Sequence, residues 1–201
     1  MKIVVLADES IFERLRSFNP GAEWIKIESA SSFTLHPDAD AVFDLTPNAY
    51  ERTNFPAGIP VFINSVLLPT NTHKNVLRIN GWNGFIENET WEVAGDLDKK
   101  ALTVLNFLKK QVIEAPNQPG LISARVIAMI INEAFYALDE GVSTVSEIDT
   151  AMKLGTNYPF GPFEWGEKIG LQNIYALLNQ LSLEDNRYQP APSLVKHISL
   201  S

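Results

Sequence analysis

Asn117-Gln-Pro-Gly-Leu-Ile-Ser-Ala-Arg125 ends one hydrophobic pattern and begins another. Upstream, residues 2–7, 23–28, 41–45, 60–64 and 75–79 are short β-rich runs, each bounded by Pro, Gly, Asn or Asp. Residues 9–18 have helical spacing between the first two runs, which predicts a βαβ unit and a parallel sheet covered on both faces. A further strand is expected over 90–93. A helix follows from Asp96 as N-cap to Lys110, with Leu97, Ala101, Leu105 and Leu108 on one face, and then a last strand over 111–115.

From Pro119 onward the period is helical only. Residues 121–138 are apolar around most of a helix, with Arg125, Asn132 and Glu133 as the polar exceptions, which predicts burial by several neighbours. Gly141 ends that helix, Ser146 with Asp149 has the spacing of a capping box, and Gly155 closes the next helix. Pro162 suits the first turn of a third helix, and residues 170–181 supply a fourth. The expected organisation is an α/β domain over 1–117 and an all-helical domain over 118–201.

Composition bounds the partners. With 201 residues, 45% of them hydrophobic and 20% charged, the chain can bury one good core or two small ones. A formal charge of −8 disfavours nucleic acid and anionic membrane, because such binders need a basic face to displace counterions. There are no cysteines, which excludes disulfides, thiolate nucleophiles and cysteine zinc sites; no metal is expected. Met1 runs straight into Lys2-Ile-Val-Val-Leu-Ala7 rather than a basic-then-apolar leader, so the expected address is the cytoplasm.

Three strings in the helical half then carry a resemblance. Asn117–Arg125, Glu147-Ile-Asp-Thr-Ala-Met-Lys-Leu-Gly155 and Tyr158-Pro-Phe-Gly-Pro-Phe-Glu164, with the tail Arg187-Tyr-Gln-Pro-Ala-Pro-Ser-Leu194, resemble the C-terminal domain of the NAD-dependent 3-hydroxyacyl-CoA dehydrogenases. The first half shows a weaker but ordered likeness. Pro60-Val-Phe-Ile-Asn-Ser65 looks like the family's strand ending in Ser-Asn-Thr-Ser-Ser, Asn80-Gly-Trp-Asn-Gly84 like its His-Phe-Phe-Asn-Pro, and Trp91-Glu-Val93 like its Val-Glu-Val. The resemblance implies a shortened Rossmann-like sheet followed by the family's helical domain.

It also implies where the chemistry should be. Family members pass hydride from a 3-hydroxyacyl-CoA to nicotinamide while a histidine, oriented by a glutamate, takes the hydroxyl proton; a serine and an asparagine hold the substrate oxygen. Carried over singly, the glutamate falls on Glu92, the histidine on Asn80, the serine on Val66 and the asparagine on Ala124. Only Glu92 keeps its chemistry, since an amide cannot act as the general base. The glycine-rich turn that brings backbone amides to a pyrophosphate is replaced by Val5-Leu-Ala-Asp-Glu-Ser-Ile11. Asp8 or Ser10 is expected simply to cap the first helix. Glu28, at the end of the second strand, is the remaining candidate for an adenosine ribose. Where the family carries helices, a strand and a region contacting the CoA tail, residues 29–40 leave little room.

No other residue replaces the lost base. His36, His73 and His197 fall outside the matched positions and read as solvated, Trp82, Trp91 and Trp165 read as core or pocket lining, and Glu164 as a turn-fixing residue. The expectation is a noncatalytic relative with no cofactor, binding a small acyl or acyl-CoA ligand or a protein partner. The alternative is a working NAD-dependent dehydrogenase of fatty-acid or acyl-CoA metabolism with a reorganised site. A homodimer through the helical half is expected, because the apolar helix over 121–138 calls for more cover than three partner helices give.

Overall fold

The computed structural model describes residues 1–47, 49–69 and 73–200. They divide into two compact units, Met1–Leu121 and Ile122–Ser201. The change of period falls at Asn117, but the segment up to Leu121 stays with the first unit. There the Gly120 N–H donates to the Val66 carbonyl at 2.7 Å, and Arg78 holds Gln118 and Asn117.

The first unit is a seven-stranded sheet ordered β2-β1-β3-β4-β5-β6-β7, formed by β1 Lys2–Leu6, β2 Glu23–Ile27, β3 Ala41–Asp44, β4 Val61–Asn64, β5 Val76–Ile79, β6 Thr90–Ala94 and β7 Gln111–Glu114. Every neighbouring pair is parallel except β5 with β6, which run antiparallel. Strand alternation sends Ile3, Val5, Phe43, Phe62 and Leu77 to one face and Val4, Val42, Val61, Ile63 and Val76 to the other. On the first face lie helices α1 (Glu9–Phe18) and α2 (Lys99–Phe107), which supply Phe12, Leu15, Ala101, Val104 and Leu105. Phe43 and Phe62 stack at 4.7 Å there, with Trp91 edge-on to Phe43.

The second face is covered differently. Its neighbours are Phe33, Ala39, Ala49, Phe55 and Ile59, from 3-10 turns at Ala30–Leu35 and Ala49–Glu51 and from loops. A partly buried ion pair braces the crossover from β3 to β4: Asp44, fully buried, accepts from the half-buried Arg52 Nε and from the Thr46 hydroxyl at 2.6 Å.

The second unit is helical: α3 Ser123–Asp139, α4 Val145–Thr156, α5 Pro162–Ile169, α6 Leu171–Ser182 and α7 Pro192–Leu200. Helix α3 packs on α5, α6 and α7, with Ala124, Ile127, Ala128, Ile131, Ala134 and Phe135 buried. Its Asn132, an apparent polar exception, is buried too, donating to the Gln189 carbonyl at 2.9 Å and accepting from the Ala191 N–H at 2.9 Å. That amide seats the chain ahead of α7, a helix outside those expected from the sequence.

Several helix ends differ from expectation. The cap of α2 is Asp98, whose carboxylate accepts from the Ala101 N–H, rather than Asp96. Helix α4 starts on Thr144 with Glu147 as its capping box, not on Ser146 with Asp149. It also runs past Gly155 to Thr156 and turns off at Asn157, in the left-handed region at φ 55°. The reason is common: Ser, Thr, Asp and Glu recur at neighbouring positions, and periodicity does not choose between them. By contrast Gly141, at φ 69°, follows α3 as the sequence suggests, and Pro162 opens α5.

Candidate functional site

In an open parallel sheet the carboxyl ends of the strands carry the ligand crevice, at the point where strand order reverses. Here the reversal lies between β1 and β3, and the segments following β1, β3, β4 and β5 leave by one edge of the sheet. Asp8, Leu45, Val66 and Asn80 all sit just beyond those strand ends.

The turn after β1 is closed by its own side chains. Asp8 is the N-cap of α1, and its Oδ1 accepts from the Ile11 N–H at 2.8 Å. Glu9 pairs with Lys26 at 3.0 Å, and Lys26 also meets Glu28 at 3.1 Å. These two carboxylates hold the Lys26 ammonium above its ordinary pKa, hydrogen bonding to Glu9 being the larger cause. Glu28 is itself strongly exposed at the end of β2. The Ile11 amide at this turn is thus taken by Asp8 rather than left for a bound anion.

A cleft of about 280 Å³ opens beside the turn, lined by Asp8, Ile11, Arg14, Gly81, Trp82 and Ile86 among others. Arg14 spans its rim, donating to Asn83 Oδ1 at 3.1 Å and pairing with Glu87. The floor is apolar, with Trp82 and Ile86 almost fully buried. Gly81 is required by close approach: a Cβ there would lie 2.6 Å from Asn64 Cγ, whose Oδ1 accepts the Gly81 N–H at 3.1 Å. Sequence reasoning missed Arg14, since its partners are more than sixty residues away and no local pattern marks them.

The positions matched to catalytic residues lie at the end of β5 and on β6, in the loop after β4 and, within the second unit, on α3. The antiparallel ladder pairs Arg78 with Ala94 and Ile79 with Val93, so the next pair along the register is Asn80 and Glu92. Asn80 is 7% exposed and its Oδ1 accepts from the Trp82 N–H at 3.2 Å; Glu92 is half-buried on β6. Val66 is 2% exposed in the loop after β4, where its carbonyl accepts from Arg78 Nη2 at 3.4 Å. Ala124 belongs to the second unit, fully buried in the first turn of α3. None of Asn80, Glu92, Val66 and Glu28 is among the residues lining the cleft beside α1.

The remaining candidates are dispersed. His36 is half-buried, His197 is exposed and His73 lies against the Thr53 carbonyl at 3.0 Å. Trp91 is core, Trp82 lines the cleft, and Trp165 meets Tyr158 edge-on at 5.7 Å. Glu164 Oε2 accepts from the Gly161 N–H at 3.0 Å, which fixes the turn into α5, and its hydrogen bond to Lys153 holds its pKa below the ordinary value. Among the described residues no group of three or more His, Asp or Glu is placed to hold a metal ion, and no helix is long and apolar enough to cross a membrane.

The sequence pattern of the 3-hydroxyacyl-CoA dehydrogenase C-terminal domain matches residues 120–200. Residues 120–200 are thus a 3-hydroxyacyl-CoA dehydrogenase C-terminal domain. It is 44% identical over 98 residues to 3-hydroxyadipyl-CoA dehydrogenase of Escherichia coli K12, which covers 48% of this chain and 21% of that protein. A probable 3-hydroxybutyryl-CoA dehydrogenase of Bacillus subtilis is 33% identical over 144 residues, covering 68% of this chain and 50% of its own length. The chain therefore spans half or less of these relatives. The crystal structure of (S)-3-hydroxybutyryl-CoA dehydrogenase from Ralstonia eutropha superposes with a TM-score of 0.77 at 18% identity, covering 99% of this chain and 93% of that one. That likeness establishes the fold: a shortened Rossmann-like, mostly parallel sheet followed by a helical dehydrogenase-type domain.

Proposed function

We propose that this protein is a 3-hydroxyacyl-CoA dehydrogenase-like protein without hydride-transfer activity, kept for binding a small acyl or acyl-CoA ligand or a protein partner. The observation that carries this reading is the pair at the end of β5 and on β6. Where a base and its orienting carboxylate are needed, the register offers Asn80 opposite Glu92, and an amide has no proton-accepting nitrogen at neutral pH. The turn at Asp8 supports it from the cofactor side, because a capped, carboxylate-bearing helix start opposes a pyrophosphate both sterically and by charge. No cofactor is therefore expected.

A second reading has its own support. The helical half keeps 44% identity to an E. coli 3-hydroxyadipyl-CoA dehydrogenase and Glu92 is retained, as an active NAD-dependent dehydrogenase of acyl-CoA metabolism with a reorganised site would require. Calorimetry of the purified chain against NADH, NAD, CoA and short acyl-CoAs separates the two. Acyl-CoA binding without NADH binding supports the first reading; micromolar NADH binding overturns it.

We place the protein in the cytoplasm as a homodimer. Helix α3 already has three partner helices within its unit, so the case for a dimer rests instead on α4, which buries only Asp149 and leaves Val145 and Leu154 exposed.

A further inference from the structure

We infer that Arg78 is a latch that fastens the exit segment of the first unit, residues 117–121, to the loop following β4. Arg78 is fully buried on β5, an unusual place for a guanidinium. Strand alternation puts it on the same face as Val76, where it reaches out of the sheet in two directions at once. On one side Nε donates to the Ser65 carbonyl at 2.8 Å and Nη2 to the Val66 carbonyl at 3.4 Å. On the other, Nη1 donates to Asn117 Oδ1 at 2.8 Å and Nη2 to the Gln118 carbonyl at 3.1 Å.

All four acceptors are uncharged amide-type oxygens. They give the cation less than a carboxylate would, and burial pushes its pKa down to about 10. A buried charge compensated by four carbonyl-type oxygens is best explained by geometry. The planar fork of arginine reaches both segments, Ser65–Val66 and Asn117–Gln118, from one position.

Two independent features lie in the same place. The Val66 carbonyl accepts a second bond from the Gly120 N–H at 2.7 Å, so the loop and the exit segment are joined directly as well as through Arg78. Gly120 and Leu121 are consecutive left-handed residues, at φ 84° and 49°. Leucine rarely adopts that conformation, and here it is held with its side chain 2% exposed. Such a strained turn persists only where its surroundings fix it, and the Arg78 bonds on 117 and 118 are what fix it. Because the loop carries Val66, opening the latch frees the position matched to the family's substrate-binding serine together with the chain leading out at Leu121.

Amide hydrogen exchange read by NMR tests this. In the wild type the Gly120 and Leu121 amides should be protected to within about tenfold of those in β4 and β5, such as Phe62 and Ile79. Arg78→Lys, which keeps the charge but loses the fork, should speed exchange at Gly120 and Leu121 by roughly 10- to 100-fold, the value of one or two charge-assisted bonds, and leave Phe62 and Ile79 unchanged. Asn117→Ala, which keeps Arg78 and should fold in any case, should speed the same two amides by about tenfold. Unprotected Gly120 in the wild type would overturn the latch. So would equal loss of protection across the sheet in Arg78→Lys, or no change at Gly120 in Asn117→Ala, for then Arg78 is only a pillar of the core.

Discussion

Asp8 Oδ1 accepts the Ile11 backbone N–H at 2.8 Å, so a leading amide of α1 is satisfied within the chain. In a dinucleotide-binding fold that end of the first helix faces the pyrophosphate, and its amides and dipole are the attraction. Asp8→Ala should destabilise the protein by about 0.5–2 kcal/mol as a lost cap, while Asp8→Gly should cost only a few tenths. Neither should create NADH binding, because Glu9 remains and the turn still lacks the glycine pattern that lets a pyrophosphate approach. Thermal melts with and without millimolar NADH check both points, and a shift of several degrees with NADH in Asp8→Gly would show that the carboxylate alone had closed the site.

In the helical unit Asp149 caps a helix other than its own. Its Oδ1 accepts from the Phe163 N–H at 2.8 Å and its Oδ2 from the Glu164 N–H at 3.2 Å, at the start of α5. Gly161 makes room for it, since a Cβ there would stand 2.2 Å from Asp149 Cγ. Asp149→Ala should cost about 1–3 kcal/mol through the orphaned buried amide, and Gly161→Ala should cost a similar amount by displacing the carboxylate. The double variant should cost clearly less than the sum, because the clash disappears with the carboxylate. Denaturant titration of all four proteins measures the cycle; strict additivity would contradict the contact.

Lys110 is buried over the Phe18 ring at 3.5 Å and donates to the Asn88 carbonyl at 2.8 Å. Burial nonetheless pushes its pKa down to about 8, with Glu87 and Glu89 opposing. A lysine depressed in the fold holds fewer protons there than in the unfolded chain between about pH 8 and its ordinary 10.5, so its contribution to stability rises with pH across that window. An NMR titration of the Lys110 side chain should show a midpoint near 8. A midpoint above 10 would mean that the ring and the carbonyls outweigh desolvation.

Light scattering at micromolar concentration should show a dimer for the wild type. Leu154→Asp, placing a charge on the exposed side of α4 where Leu154 is 83% exposed, should convert it to monomer without lowering thermal stability appreciably. A monomeric wild type would remove α4 as an interface.

The sheet was legible because its strands are short apolar runs between turn residues, as in Lys2-Ile-Val-Val-Leu6 and Val61-Phe-Ile-Asn64. The helical unit was legible from period and from family strings. Caps were harder. Asp149 was visible as a helix-start residue, but the helix it serves begins at Pro162, and spacing along one helix cannot reveal a cap given to another. Arg78 had no local signal at all: its place in an apolar strand says nothing of acceptors at 65, 66, 117 and 118. Helix α7 was hidden because Pro192-Ser-Leu194 read as the end of a motif rather than as a first turn.

Turnover decides the central claim. NADH oxidation with a short-chain 3-oxoacyl-CoA should be indistinguishable from background for the wild type. A missing general base removes about 100- to 10,000-fold of rate, and lost oxygen contacts add to that. Asn80→His, which returns an imidazole to the position facing Glu92, should stay equally silent because base, substrate contacts and cofactor turn act as a unit. Robust turnover by the wild type would contradict the account outright, and rescue by Asn80→His alone would show that the cofactor and substrate sites are intact.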